Sequence, residues 1–198
     1  MTASSDVIEQ APLQDRDLLL RLSLYFDAFE QRLRQGQGWF IFNAGGGRSS
    51  RISDFIQQRM AEYETSVSAF MIPWRDFALN AYVSEVGLPS LEPAERDGFS
   101  DTQAKAGYEV ARFVNAETND RLLFSDLLVL TGLRPNAWHE ATFLDRTIDE
   151  RYRKRLATIL VTPDLPMELE AEYRMVDPSS TFWPRLFQRM YETSLVAM

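Results

Sequence analysis

The chain has 198 residues, 45% of them hydrophobic and 12% aromatic, which is enough for one domain with a buried core. It has no cysteine and a single histidine, His139. That excludes disulfides, thiolate metal sites, a cysteine nucleophile and multi-histidine metal sites. A net charge of −8 argues against strong unaided DNA binding, because that affinity comes mainly from neutralised phosphates.

No apolar run approaches the ~20 residues that span a bilayer, and MTASSDVIEQ lacks the basic and apolar regions of a secretory signal. The expectation is a cytoplasmic protein. Lys105 and Lys154 are the only lysines. The arginine excess fits either fork-like recognition of planar anions or a genomic codon bias.

Along the chain, residues 1–16 are polar and read as a loose N-terminus. From Asp17, LLLRLSLYFDAFEQRL repeats apolar positions at helical spacing, and Gly36 and Gly38 end it. GWFIF reads as a buried strand. Ile52, Phe55, Ile56, Met60 and Tyr63 mark one face of the next helix. VSAFMI (67–72) is a second strand, and Pro73 opens the helix WRDFALNAYVSEV. A Gly-, Pro- and acid-rich loop follows over 87–101. Then come a helix through KAGYEVARFVNAET, a strand LLFSDLLVL, the amphipathic helix NAWHEATFLDRTIDERYRKR and the β-branched strand LATILVT. Pro166 opens MELEAEYRM, and TFWPRLFQRMYETSLVAM holds a short helix and a last strand. Strands alternating with helices, several fully apolar, predict a parallel sheet covered on both faces.

NAGGGRSS, residues 43–50, joins the first strand to a helix. Glycines in that position turn successive N–H groups toward one anion, and the helix N-terminus adds its dipole. The full phosphate-loop motif is G-x-x-x-x-G-K-[ST], whose lysine reaches the β and γ phosphates and whose hydroxyl binds Mg²⁺. In one register Gly47-Arg48-Ser49 meets G-K-S and Phe42 takes the first glycine's place. In the other, Asn43 takes that place, Ser49 the lysine's and Ser50 the hydroxyl's. Neither is intact. Gly45, Gly46 and Gly47 can still form an anion nest, with Arg48 or Arg51 as a phosphate contact. A plain glycine turn capped by Ser49 or Ser50 is the competing reading.

Several segments together resemble the DnaC, DnaI and IstB group of AAA+ ATPases, from about residue 18 to the end. The most specific is ERYRKRLATILVTPDLPMELEAEY (150–173). It is similar to the family's arginine-rich helix end, apolar strand closing in T-N-L, and short acidic helix. Asp164 stands where the family has its sensor asparagine. Pro184-Arg185-Leu186 resembles the family's S-R-L, whose arginine reaches a neighbouring subunit's nucleotide. RLLFSDLLVLTG resembles the second nucleotide motif, an apolar strand ending in two acids. Asp126 then falls on the water-positioning acid and Ser125 on the magnesium-binding one; a one-residue shift makes Asp126 the metal acid. The expectation is that the family's second sensor arginine and C-terminal lid are lacking.

The resemblance implies a single AAA+ P-loop α/β domain over 17–198, with about five mostly parallel strands sandwiched between helices. The loop lysine, one glycine, one acid and the sensor asparagine are changed, while the apolar framework is kept. The expectation is a degenerate helicase-loader-like protein-interaction module in DNA replication or a related DNA transaction, without ATP hydrolysis. Its cofactor is none, or weakly held ATP or ADP with Mg²⁺. Its implied partner is a replicative helicase, an initiator or an active AAA+ subunit, direct DNA binding is weak or absent, and an oligomer stays open. The alternative is an active ATPase that uses Arg48 in place of the lysine. Candidate residues are Asp126, Asp164 and Arg185 for catalysis, and Gly45, Gly46, Gly47, Arg48, Ser49 and Ser50 for nucleotide. Ser49, Ser50 and Asp126 are the metal candidates, and Arg151, Arg153, Arg155 and Arg185 the partner-facing ones. For the basic run 146–155 the competing reading is a solvated helix face balanced by Asp145, Asp149 and Glu150.

Overall fold

A computed structural model describes residues 8–9, 11–63, 66–87, 101–177, 179 and 181–198, with helix placement alone for 101–108. The loop expected at 87–101 lies, from 88 to 100, outside the described residues. So do residues 1–7 and 10 of the expected loose N-terminus.

The apolar runs become strands β1 (Gly38–Ile41), β2 (Ala69–Pro73), β3 (Leu127–Thr131), β4 (Ala157–Val161) and β5 (Ser194–Ala197). They form one sheet in the order β2-β3-β4-β1-β5, and every pairing is parallel. Central β1, β3 and β4 are buried almost throughout, whereas the edge strands β2 and β5 are only partly so. Burial on both faces is why the central runs are continuously apolar rather than alternating.

Period-2 geometry still sorts their side chains between two cores. Trp39, Ile41, Val129, Ile159 and Val161 face helices α1 (Leu13–Asp27) and α3 (Gly47–Ala61), meeting Leu22, Phe26, Ile52 and Ile56. Phe40, Phe42, Leu128, Leu130 and Leu160 face the other layer. That layer holds α4 (Trp74–Glu85), α6 (Trp138–Lys154), α7 (Pro166–Val176) and α8 (Phe182–Thr193), with the end of α5 (Asp101–Phe124). The expected three-layer α/β sandwich is thus the architecture. Among the described residues no helix is long and apolar enough to cross a membrane.

Three boundaries differ from the sequence reading. The first helix opens at Leu13 rather than Asp17 and breaks at Ala28 before the short α2 (Phe29–Arg34). Residues 13–16 are thus ordered, and Asp15 is fully buried. Pro73 ends β2 and caps α4 instead of opening it. The run Leu122–Phe124 closes α5, so β3 begins only at Leu127.

One close approach fixes the middle of the sheet. A Cβ on Gly38 would lie 1.8 Å from the Thr158 carbonyl oxygen, so β1 can sit beside β4 here only as glycine.

Helix α8 is anchored by Asp177, whose carboxylate accepts the N–H groups of Ser179 (3.1 Å), Thr181 (2.7 Å) and Phe182 (2.9 Å). Burial, the largest single influence, pushes this carboxyl up. The Ser179 hydroxyl and the three N–H donors together outweigh it and hold the group below the ordinary carboxylate range. A depressed folded pKa stabilises above the unfolded value of ~3.9 and ceases to do so as pH falls through the lower folded value. Asp177→Asn should therefore lose about 1 kcal/mol at pH 7. Urea midpoints measured from pH 6 to 2.5 should show the parent's advantage shrinking below about pH 4.

Candidate functional site

In a parallel α/β sheet, ligands bind outside the carboxyl ends of the strands. Here that edge carries the glycine loop after β1, Thr131-Gly132 after β3, and Thr162 to Asp164 after β4. Thr162 ties them together. Its N–H donates to the Ile41 carbonyl (2.9 Å), its hydroxyl to the Leu133 carbonyl (2.9 Å), and its own carbonyl accepts the Ala44 N–H (2.9 Å).

The loop turns at Asn43, which adopts the left-handed φ of 55° that asparagine tolerates. The Asn43 N–H donates to the Asp164 carbonyl at 3.0 Å. Helix α3 opens at Gly47 with Gly46 as its N-cap (φ 53°, ψ −136°). That start matches the register in which Gly47-Arg48-Ser49 stands for G-K-S. Phe42, in the first glycine's place, is buried against Phe40, with ring centroids 4.1 Å apart, and leaves the loop unfilled. Gly45, Gly46, Gly47 and Ser50 are exposed and Ser49 half-buried. No carbonyl among the described residues takes up the N–H groups of the three glycines. The anion nest therefore has its shape.

Its charge is held elsewhere. Arg48 lies with Nε 3.0 Å from Asp15 Oδ1, Nη1 donating to the Asn43 carbonyl at 2.9 Å, and Nη2 3.5 Å from the Met198 carbonyl. Arg51 reaches the other oxygen, Asp15 Oδ2, through Nε (3.0 Å) and Nη2 (2.5 Å). Asp15 sits in the first turn of α1 with 1% of its side chain exposed, so one carboxylate holds both arginines on the α1 side of the loop. Arg48 thus stands in the lysine's place along the chain, while its direction is set by Asp15.

The acid expected at the end of β3 is also displaced. Asp126 precedes β3 and lies at the opposite, amino end of the sheet. Its Oδ2 accepts the Ser68 N–H at 2.9 Å and its carbonyl the Ala157 N–H at 3.2 Å. At ~3.3 Å per residue, five-residue β3 puts it roughly 16 Å from the loop's edge. It is neither a catalytic nor a metal-binding candidate there, and Ser125, buried beside Arg151, shares that end. Thr131 and Gly132 occupy the carboxyl end of β3. They line a cleft of about 610 Å³ with Ser49, Trp74, Arg75, Arg134, Asn136 and Glu140. Glu140, the acid in that cleft, is buried and accepts the Asn136 N–H at 2.9 Å. Among the described residues, no three acidic or histidine side chains converge as a metal-ligand group.

Asp164 does reach this edge, next to the loop. Its buried carboxylate is taken by Arg134, through Nε at 3.1 Å and through Nη2 as well. Arg134 Nε also lies 3.2 Å from Glu172. The hydrogen bond and charge of Asp164 raise the Arg134 pKa further, so this cation is permanent. Burial, then the Asp164 charge, pushes the Glu172 carboxyl up. Arg134 escaped sequence reasoning; its only signal was its place directly after the strand-ending T-G-L.

Of the four arginines expected to face a partner, Arg151 is buried and the other three are exposed. Arg185, 47% exposed, ion-pairs with Asp145 at 2.8 Å, and Arg189 pairs with Asp145 and Asp149. Burial raises the Asp145 pKa, which both arginines oppose. Arg153 and Arg155 are exposed at the far end of α6, near the amino edge of the sheet, and Arg153 pairs with Asp149 at 2.5 Å. Arg151 is buried and faces inward. It donates to Thr158 Oγ1 (3.0 Å) and to the carbonyls of Leu122 (2.9 Å) and Ala157 (2.6 Å). It joins α5, α6 and β4 and has no surface to offer a partner.

The nest fits a phosphate group, but the residues around it do not fit a magnesium triphosphate. The lysine-position cation is engaged by Asp15, and the carboxylates described near this edge, Glu140 and Asp164, are taken by the Asn136 N–H and by Arg134.

Comparison with solved structures gives the same architecture. The crystal structure of the DnaC helicase loader superposes with a TM-score of 0.57 at 14% identity, covering 95% of this chain and 92% of that one. DnaI gives 0.62 at 12% identity, covering 96% and 85%. A DNA replication initiation factor gives 0.58 at 15%, covering 96% of this chain and 48% of its own. No family model matches the sequence, and no curated protein does. The α/β fold expected from the sequence, one parallel sheet between helices, is the fold that this chain shares with these structures.

Proposed function

We propose that this chain uses a helicase-loader fold as a non-hydrolysing protein-interaction module in DNA replication or a related DNA transaction. The observation that carries the reading is the pairing of Arg48 and Arg51 with Asp15. With it, and with Thr131-Gly132 where the second motif has its acids, the electrostatic partners of γ-phosphate and Mg²⁺ are missing. Each ~1.4 kcal/mol of lost transition-state stabilisation is a tenfold loss in rate. The partner class is a replicative helicase, an initiator or an active AAA+ subunit, in keeping with the helicase loader and initiation factor among the structural neighbours. The exposed Arg153 and Arg155, and Arg185 once released from Asp145, are the side chains we assign to that contact.

The active-ATPase alternative needs Arg48 at the γ-phosphate, whereas its guanidinium is engaged by Asp15 and by the carbonyls of Asn43 and Met198. Purified protein should show no ATP turnover above background with Mg²⁺, and ATP should not raise its melting temperature. Saturable turnover that disappears in both Arg48→Ala and Ser49→Ala would overturn the reading. Co-purification from native lysate separates a replication role from a transposition role by whether a helicase or a transposase accompanies the chain.

A further inference from the structure

The opposite flank of the domain carries a groove that the nucleotide-loop geometry does not use. It has a volume of about 550 Å³ and lies between edge strand β2 and helices α4 and α5. Its apolar walls include Leu79 and Val114, 66% and 53% exposed, with Val83 between the helices and the strand. Isolated exposed apolar residues need no explanation, but a contiguous apolar wall beside a sheet edge does.

The edge itself says what shape of ligand fits. The Ser68 carbonyl accepts the Leu127 N–H at 3.2 Å, and the Ser68 N–H points to Asp126, so Ser68 faces β3. Alternation along the parallel ladder makes Phe70 and Ile72 do the same and turns the N–H and C=O groups of Ala69 and Met71 outward. Among the described residues no strand pairs with this edge, and an edge of this kind is a template for one more strand. A strand edge flanked by a helix accepts an extended peptide, through main-chain hydrogen bonds on one side and pockets for alternate side chains on the other.

Charge sets the register. Exposed Arg121 lies over the Phe70 ring, 4.1 Å from its centroid, at the amino end of β2, and exposed Asp76 lines the groove past the other end. Neither forms an ion pair with another described residue.

We infer that this groove binds an extended segment of a partner protein by strand addition to β2. The segment carries apolar residues at alternate positions, an acidic residue at the Phe70 end and a basic one at the Asp76 end. Five-residue β2 offers about 16 Å of edge at ~3.3 Å per residue. This site is independent of whether nucleotide is bound.

A phage-displayed random octapeptide library panned on the full chain tests it. The enriched sequences should alternate apolar residues with an acid near one end. A synthetic copy of the strongest should bind at least tenfold more weakly to Leu79→Lys and to Val114→Lys. Both positions are more than half exposed, so these variants keep the fold. Met71→Pro, which removes an outward N–H, should also lose binding. Arg121→Glu should reverse the preference, favouring a copy in which lysine replaces the acid. Bound peptide should slow amide exchange at Ala69 and Met71. No enrichment over panning on Val114→Lys, binding that survives both lysine variants, or an unchanged charge preference in Arg121→Glu would each overturn the inference.

Discussion

Asp15→Ala should lower the unfolding free energy by about 3 kcal/mol, since it leaves Arg48 and Arg51 facing an empty, largely buried position. The carboxylate is fully enclosed, while Arg48 keeps 12% of its side chain exposed and Arg51 38%. Part of Arg51's contribution is screened by solvent, which keeps the figure at the lower end of the range for breaking a buried pair. Urea denaturation of a mutant cycle gives the decisive readout. In an Arg48→Ala/Arg51→Ala background the carboxylate has lost its partners, and Asp15→Ala should there be neutral or stabilising. That change of sign marks a clamp. An equal cost in both backgrounds would mean that Asp15 matters only as part of α1, and the electrostatic account of Arg48 would fail with it.

The second large effect is expected at Arg151. Burial pushes its guanidinium down to about 9, still well above neutrality, so the side chain stays charged inside the protein. Among the described residues no carboxylate pairs with it directly. Two carbonyls and the Thr158 hydroxyl take up its N–H groups. Arg151→Met fills much of the volume but leaves those acceptors unmatched, at a cost of about 3–5 kcal/mol. Arg151→Lys should recover only a fraction, because a single ammonium cannot span acceptors on one strand and a helix end as a planar fork does. Arg153→Ala and Arg155→Ala should leave the urea midpoint nearly unchanged, as exposed pairs contribute little. A midpoint for Arg151→Met equal to theirs would return Arg151 to the surface role that its sequence neighbourhood implied.

Arg151, Asp126 and Arg48 show where reading the residues reached its limit. Arg151 lies within a run of basic residues, and a basic run on an amphipathic helix is ordinarily solvated. Its inward direction follows from the helical spacing from Leu144 and Ile148, which places it on the buried face of α6. That periodic signal was present, but the charge masked it. Asp126 went astray through a boundary. Leu122–Phe124 are as apolar as a strand start, and a short apolar run does not distinguish a helix end from a strand beginning. Once α5 claims those residues, the carboxyl end of β3 moves to Thr131-Gly132, and the acid moves to the far side of the sheet. Arg48 stood in the right place, yet its partner lies 33 positions earlier, in a segment whose polar composition read as loose.

The sequence by itself determined the order of strands and helices, the parallel sheet, the glycine turn into α3 and the absence of a loop lysine. These depend on local quantities: apolar period, β-branching, and where glycine and proline interrupt. Only the tertiary structure decided which end of the sheet each acid occupies, and whether each arginine faces solvent, core or loop. Long charged side chains take their direction from partners distant in sequence, here Asp15 for Arg48, Asp164 for Arg134 and Asp145 for Arg185. Those pairings form only once the apolar framework has brought the elements together.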